Sequence, residues 1–355
     1  MPRILMAALF ALALAACGAG AAPSSPPAPA APSDAPTAPA SPEASAPDEP
    51  SSTPQPVGHT AAGLTLVQFL SNDDPASQVF IVESDGSLRQ LTGQSGVLPG
   101  ASRPVWSPDG EWLAFDPPKV GAELIPDLGV VRADGSAEHV IGQGVMPRWS
   151  PDGTRVLFQQ VEPVEDESLS MYVAELATGE VTNVGEGYDP RWLPDGRIAF
   201  DWAGLGPDGT FAQALRVLSL EDGSVVEIAQ NAHGVWSPDG SALLLVDETT
   251  IYLADADGSD PRALADGWGP AWSLDGSRIV FAYAHNNDAV PVLAVVDLEG
   301  RELWSGAVGE SPAWSPDGTR LAVAVSYPEP VVQVLDAATG DVLAELPGSD
   351  PTWMP

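Results

Sequence analysis

One short pattern recurs along most of this 355-residue chain, and it limits the fold more than any other feature. Pro104-Val105-Trp106-Ser107-Pro108-Asp109-Gly110 returns at residues 147–153, 190–196, 234–240, 270–276 and 312–318. A last copy, Pro351-Thr352-Trp353, stops near the C-terminus. Successive Trp residues are 43, 43, 44, 36, 42 and 39 residues apart. A period near 40 with strand-like content predicts a β-propeller.

The unit reads physically as four antiparallel strands. Ser-Pro-Asp-Gly suits a type I turn, with Pro fixing φ at its second position and Gly at its fourth. Short apolar runs follow, such as residues 112–115, 156–158 and 198–200. A second strand comes next, then an Asp-Gly, Glu-Gly or Thr-Gly turn that closes a hairpin, then a strand leading to the next Trp. The repeated Trp is the large filler between neighbouring blades. Residues 64–70, 78–83 and 88–92 match the second, third and fourth strands of a unit without its first. Residues 351–353 supply that first strand. The expectation is an all-β, seven-bladed propeller closed by the C-terminal strand pairing with the N-terminal blade. Six blades with a decorated edge is the alternative.

The Pro-x-Trp-Ser-Pro-Asp-Gly repeat resembles the WD40-like propeller repeat of the TolB family. The same repeat occurs in the propeller domains of prolyl oligopeptidase-type peptidases. The resemblance covers roughly residues 64–355. It implies the fold and leaves function open.

The first residues read as an address. Arg3 precedes an apolar run over residues 4–16, which is too short to span a membrane and suits a signal peptide. Leu14-Ala15-Ala16-Cys17-Gly18 resembles the bacterial lipoprotein box, which implies cleavage before Cys17 and lipidation of its thiol. Residues 1–16 are then the signal peptide and 17–57 a lipidated tether. Residues 18–57 hold 12 Pro, 11 Ala and no aromatic residue, so they cannot bury enough apolar surface to fold. Residues 58–355 are the propeller domain. This predicts an extracytoplasmic, membrane-anchored protein, periplasmic or on the outer surface of a bacterium.

Charge excludes one partner class. The chain carries 49 acids against 14 bases, a net charge of −35, so it has little with which to displace phosphate counterions from nucleic acid. A single Cys excludes a disulfide framework and a multi-thiolate zinc site. There is no G-x-S-x-G elbow and no H-E-x-x-H, and His59, His139, His233 and His285 lack ligand spacing. One acid run approaches calcium-loop spacing, and a second, denser run leaves room for weak calcium binding in an acidic loop. Asp255-Ala256-Asp257-Gly258-Ser259-Asp260 aligns with the hairpin turn of every blade, and Glu162, Glu165, Asp166 and Glu167 read as a solvated loop. No cofactor or metal is assigned.

Topology puts both short turns on one face of the disc and the irregular loops on the other. Variable loops on a fixed scaffold are where binding concentrates. The channel rim on that face is predicted from Arg103, Met146, Arg148, Tyr188, Asp189, Arg191, His233, Trp268, Glu310 and Asp350. The expected function is non-catalytic binding of an envelope protein, a peptide or cell-wall carbohydrate, by a monomer. The alternative is a propeller hydrolase or lyase with a metal-dependent site in the central channel.

Overall fold

The computed structural model describes residues 60–71, 74–93, 101–116, 126–161, 169–205, 210–283, 291–326 and 330–355. Cys17 and the segments up to residue 57, His59, His285 and the acid run at 162–167 lie outside the described residues. So do the central parts of the irregular loops.

Seven four-stranded antiparallel sheets follow one another around a ring. Blade 1 takes Ser349–Trp353 as its inner strand, followed by Leu64–Ser71, Asp74–Val82 and Leu88–Gln90. The inner strands of blades 2 to 7 are Ser102–Trp106, Val145–Trp149, Tyr188–Trp192, His233–Trp236, Trp268–Trp272 and Glu310–Trp314. Their second strands are Trp112–Asp116, Arg155–Val161, Ile198–Leu205, Ala242–Asp247, Arg278–Tyr283 and Arg320–Val325. The C-terminal strand closes the ring by pairing Trp353 with Leu64 and Thr352 with Thr65.

The core lies between blades rather than at the centre. Second strands are apolar on both faces because each face meets a different neighbour. Leu113 and Phe115 pack towards blade 1 with Val67 and Val79, while Ala114 packs towards blade 3 with Trp149 and Phe158. At the closure, Trp353, Leu64 and Leu66 pack on Ala322, Val332 and Val334 of blade 7.

The Ser-Pro-Asp-Gly turns repeat one hydrogen-bond set. In blade 3, Gly153 N–H donates to the Ser150 carbonyl at 2.9 Å. Ser150 Oγ donates to Asp152 Oδ1 at 2.6 Å and accepts the Arg155 N–H at 2.9 Å. Blades 2, 5, 6 and 7 do the same through Ser107, Ser237, Ser273 and Ser315. These bonds lower the pKa of the turn aspartates, to about 2 at Asp152, Asp239 and Asp275, the Ser hydroxyl being the largest cause. The hairpin turn at Asp257 is tied in the same local way to Ser259, at 2.6 Å.

Candidate functional site

Proline sets the geometry of the channel mouth. Pro has no N–H to give the ladder, so an inner strand with Pro at its third position cannot pair continuously there. The register slips at this point in blades 2, 3, 4, 6, 7 and 1. The residue before each Pro then takes a left-handed backbone: Arg103, Met146, Asp189, Ser311 and Asp350 at φ 46 to 60, and Gly269 at φ 59. Such a bulge costs roughly 1 kcal/mol or more at a non-glycine residue. Blade 5 has Gly234 in place of Pro, and its ladder is unbroken: His233 faces Val246 and Gly234 faces Leu245.

One arc of the ring answers these bulges with buried polar side chains. The second-strand residue facing the start of the inner strand is Asp116, Gln159 and Asp201 in blades 2, 3 and 4. In blades 5, 6, 7 and 1 it is Val246, Ala282, Ala324 and Val67. Asp116, Gln159 and Asp201 are at most 4% exposed, and each reaches the next blade. Asp116 accepts the Met146 N–H, 3.1 and 3.2 Å from its two oxygens. Gln159 Oε1 accepts the Asp189 N–H at 3.1 Å. Asp201 Oδ2 lies 2.6 Å from His233 Nδ1.

Three arginines crowd this arc. Arg103 Nη1 donates to Asp116 at 3.3 Å. Arg191 donates to the Asp189 carboxylate and to the Gly234 carbonyl. Among the described residues, Arg148 makes one hydrogen bond, to the Pro147 carbonyl at 3.0 Å. Burial lowers the Arg148 pKa, with the Asp189 charge opposing. Burial pushes Asp116 up to about 6 against its bonds to Met146 and Arg103. Tyr188 is raised to about 12 by burial and by the Asp201 charge. The hydrogen bond to Asp201 raises His233.

An apolar tip stands beside the arc. Strands Ile198–Leu205 and Phe211–Leu218 of blade 4 pair out to Leu205 opposite Phe211, and these two side chains are 69% and 57% exposed. At the base of this hairpin, Arg216 stacks over Trp202 at 3.8 Å.

No protein-family model matches the chain, and no curated protein is detectably similar to it. Solved structures are. TolB from Acinetobacter baumannii aligns over 82% of this chain and 83% of its own, with a TM-score of 0.51 and 16% identity. An oligogalacturonate lyase in complex with manganese aligns over 78% of this chain and 86% of its own, at 0.58 and 19%. Prolyl oligopeptidase B from Galerina marginata aligns over 82% of this chain at 0.56 and 14%, and the match spans only 53% of that enzyme.

The chain has the TolB-like β-propeller fold.

Within this TolB-like propeller, the ten rim residues predicted from sequence divide. Arg103, Met146, Arg148, Tyr188, Asp189, Arg191 and His233 gather on the arc of blades 2 to 5. Trp268, Glu310 and Asp350 stand on the other arc and do not join them. Trp268 is 42% exposed, Glu310 accepts the Ser326 hydroxyl, and Asp350 accepts its neighbour Ser349 at 3.1 Å. Sequence reasoning missed Asp116, Gln159 and Asp201, and also Leu205 and Phe211. Comparing the seven repeats at the tenth residue after each Trp (the ninth after Trp192) would have exposed the first three.

The reading of all seven repeat Trp residues as plain core needs one correction. Five are buried, but Trp192 and Trp236 are only half-buried. As for metals, no three His, Cys, Asp or Glu side chains converge among the described residues. No helix among them is long and apolar enough to cross a membrane.

Proposed function

We propose that this chain is a membrane-anchored cell-envelope module that binds a protein or peptide partner, without catalysis, through the loop-rich face of its propeller. The observation that carries this reading is the concentration of Asp116, Arg148, Arg191, Asp201 and His233 on one arc, beside the exposed Leu205 and Phe211. Apolar anchors next to half-buried arginines have the composition of binding hot spots. Arg148, with one hydrogen bond among the described residues, suits a carboxylate brought by the partner.

Cys17 is the lipidation site in this reading, and more than one acyl chain on it gives stable attachment.

The test is capture from envelope extracts with residues 58–355. A partner held by the wild type should be lost with Leu205→Asp/Phe211→Asp and with Arg191→Glu. It should be kept by the turn-face variant Asp257→Asn. A partner that ignores the first two variants rules out this face. Cys17→Ser should release the full chain from membranes.

A further inference from the structure

A cavity opens among the turns, on the face opposite the irregular loops. It encloses about 290 Å³ between blades 3, 4 and 5. Its walls include Trp149, Trp192 and Trp236 and the turn prolines Pro151, Pro194 and Pro238. Arg191 also borders it, but that guanidinium already donates to the Asp189 carboxylate and the Gly234 carbonyl, so its charge is balanced.

The repeat has its own way of covering a Trp at this place. The residue that closes the Ser-Pro-Asp-Gly turn is Arg155 in blade 3 and Arg278 in blade 6. Their carbonyls accept the Ser150 and Ser273 N–H at 2.9 and 2.8 Å. Each guanidinium stacks at 4.8 Å over the Trp of the next blade, Trp192 and Trp314. The negative face of the indole attracts the cation. Blade 4 carries the same arginine, Arg197, but Leu193 stands in place of Ser and the turn is one residue shorter. Leu193 N–H donates to the Arg197 carbonyl at 2.8 Å, across four residues instead of five. Arg197 then pairs with Asp195 at 2.8 Å and does not reach Trp236 of blade 5. Among the described residues no cation stacks on Trp236, which is half-buried and lines the cavity.

Charge at this spot favours a cation. Asp239 directly follows Pro238, and among the described residues it pairs with no base. It accepts only from Ser237 and Ser241, and these bonds hold its carboxyl down to about 2, so it stays ionised. In blades 3 and 4 the matching Asp152 and Asp195 lie 4.0 and 2.8 Å from Arg155 and Arg197. The open indole and the unpaired carboxylate therefore belong to one turn.

We propose that this cavity receives an arginine side chain of a basic protein partner, its guanidinium stacking on Trp236 beside Asp239. The incoming group completes at blade 5 the stack that Arg155 and Arg278 make within the chain. Guanidinium suits the place better than ammonium, because it is planar, weakly hydrated and stacks on aromatic faces. A second copy of the chain is a poor source, since residues 58–355 carry 45 acids against 13 bases. This site lies on the turn face and does not depend on the partner of the loop-rich face.

The test uses the full chain in detergent, labelled with 5-fluorotryptophan at its 11 Trp. Trp192→Phe and Trp236→Phe assign the two cavity resonances. The probe is acetyl-Gly-Arg-Gly-amide, with its citrulline and lysine counterparts as controls. The arginine peptide should shift the Trp236 resonance and reach saturation. Citrulline has the same shape without the charge, so its peptide should bind about tenfold more weakly, and the lysine peptide should fall between the two. Asp239→Asn keeps the turn's Oδ1 acceptor and should weaken the arginine peptide about twofold to fivefold. Equal binding of the citrulline peptide would overturn the proposal. So would unchanged affinity in Asp239→Asn. A shift spread over all resonances without saturation would be adsorption on the acidic surface, and would overturn it too. A stronger response to spermidine than to the arginine peptide would assign the cavity to free amines and rule out the arginine.

Discussion

His233 Nδ1 stands 2.6 Å from Asp201 Oδ2, clipping the inner strand of blade 5 to the second strand of blade 4. Blades 2 and 3 clip to their successors through backbone N–H groups freed by a proline bulge. Blade 5 has no such proline and no bulge, so a side chain takes over. Asp201 raises the His233 pKa, so the charged pair stabilises the fold fully below the ordinary His value near 6.5 and loses that contribution as pH rises through the raised value. The imidazole should titrate above 6.5 by NMR, and Asp201→Asn should lower its midpoint. A midpoint at or below 6.5 in the wild type would contradict the clip.

Asp116 has the same sign and a different cause. Burial raises it from 3.8 to about 6, so its ionisation penalises the fold. Stability linked to it is complete below about pH 4 and is lost as pH rises through 6, by about 3 kcal/mol in all. Asp116→Asn should therefore gain on the wild type between pH 4.5 and 7.5 in urea denaturation. A gap that stays constant with pH would show that Arg103 and the Met146 amide offset the burial.

The seven-fold fold was legible because turn and strand chemistry repeat. Ser, Pro, Asp, Gly and Trp do the same local work in each blade, and the orphan first strand pointed to closure through Trp353. The polar arc was not legible because it lies in departures from the repeat. Asp116, Gln159 and Asp201 matter because Val246, Ala282, Ala324 and Val67 stand at the matching positions, and only strand register shows which positions match. Leu193 likewise departs from the Ser of five other blades inside an otherwise regular turn motif. Its effect falls on Trp236, one blade away, through packing that no local pattern encodes.

Trp353 and Trp236 should separate sharply on truncation. Trp353 is buried against blade 7 and carries the closing strand, so Trp353→Ala should cost about 3 to 5 kcal/mol. Trp236 is only half-buried, so Trp236→Ala should cost clearly less. Chemical denaturation of the two variants decides this, and equal losses would mean that Trp236 is packed as fully as Trp353. Deleting residues 349–355 should open the ring and abolish cooperative unfolding.

Stability should peak on the acid side of neutrality. Residues 58–355 hold 45 acids and 13 bases, a charge of −32, so self-repulsion is large at pH 7 and falls as ordinary carboxylates protonate. Asp116 and His233 push the same way, since both favour the fold more as pH drops towards 5. The turn aspartates push the other way at a lower pH. Their pKa values are depressed, to about 2 at Asp152, Asp239 and Asp275, so their contribution is present above about 4 and is lost as pH falls towards 2. The melting temperature should therefore rise from pH 8 to pH 5 at low salt and collapse between pH 4 and 2. Added salt should raise the pH 8 value most, because it screens repulsion between exposed charges and barely touches buried Asp116. A melting temperature that falls steadily from pH 8 to pH 5 at low salt would mean that the acids are already compensated in the folded ring.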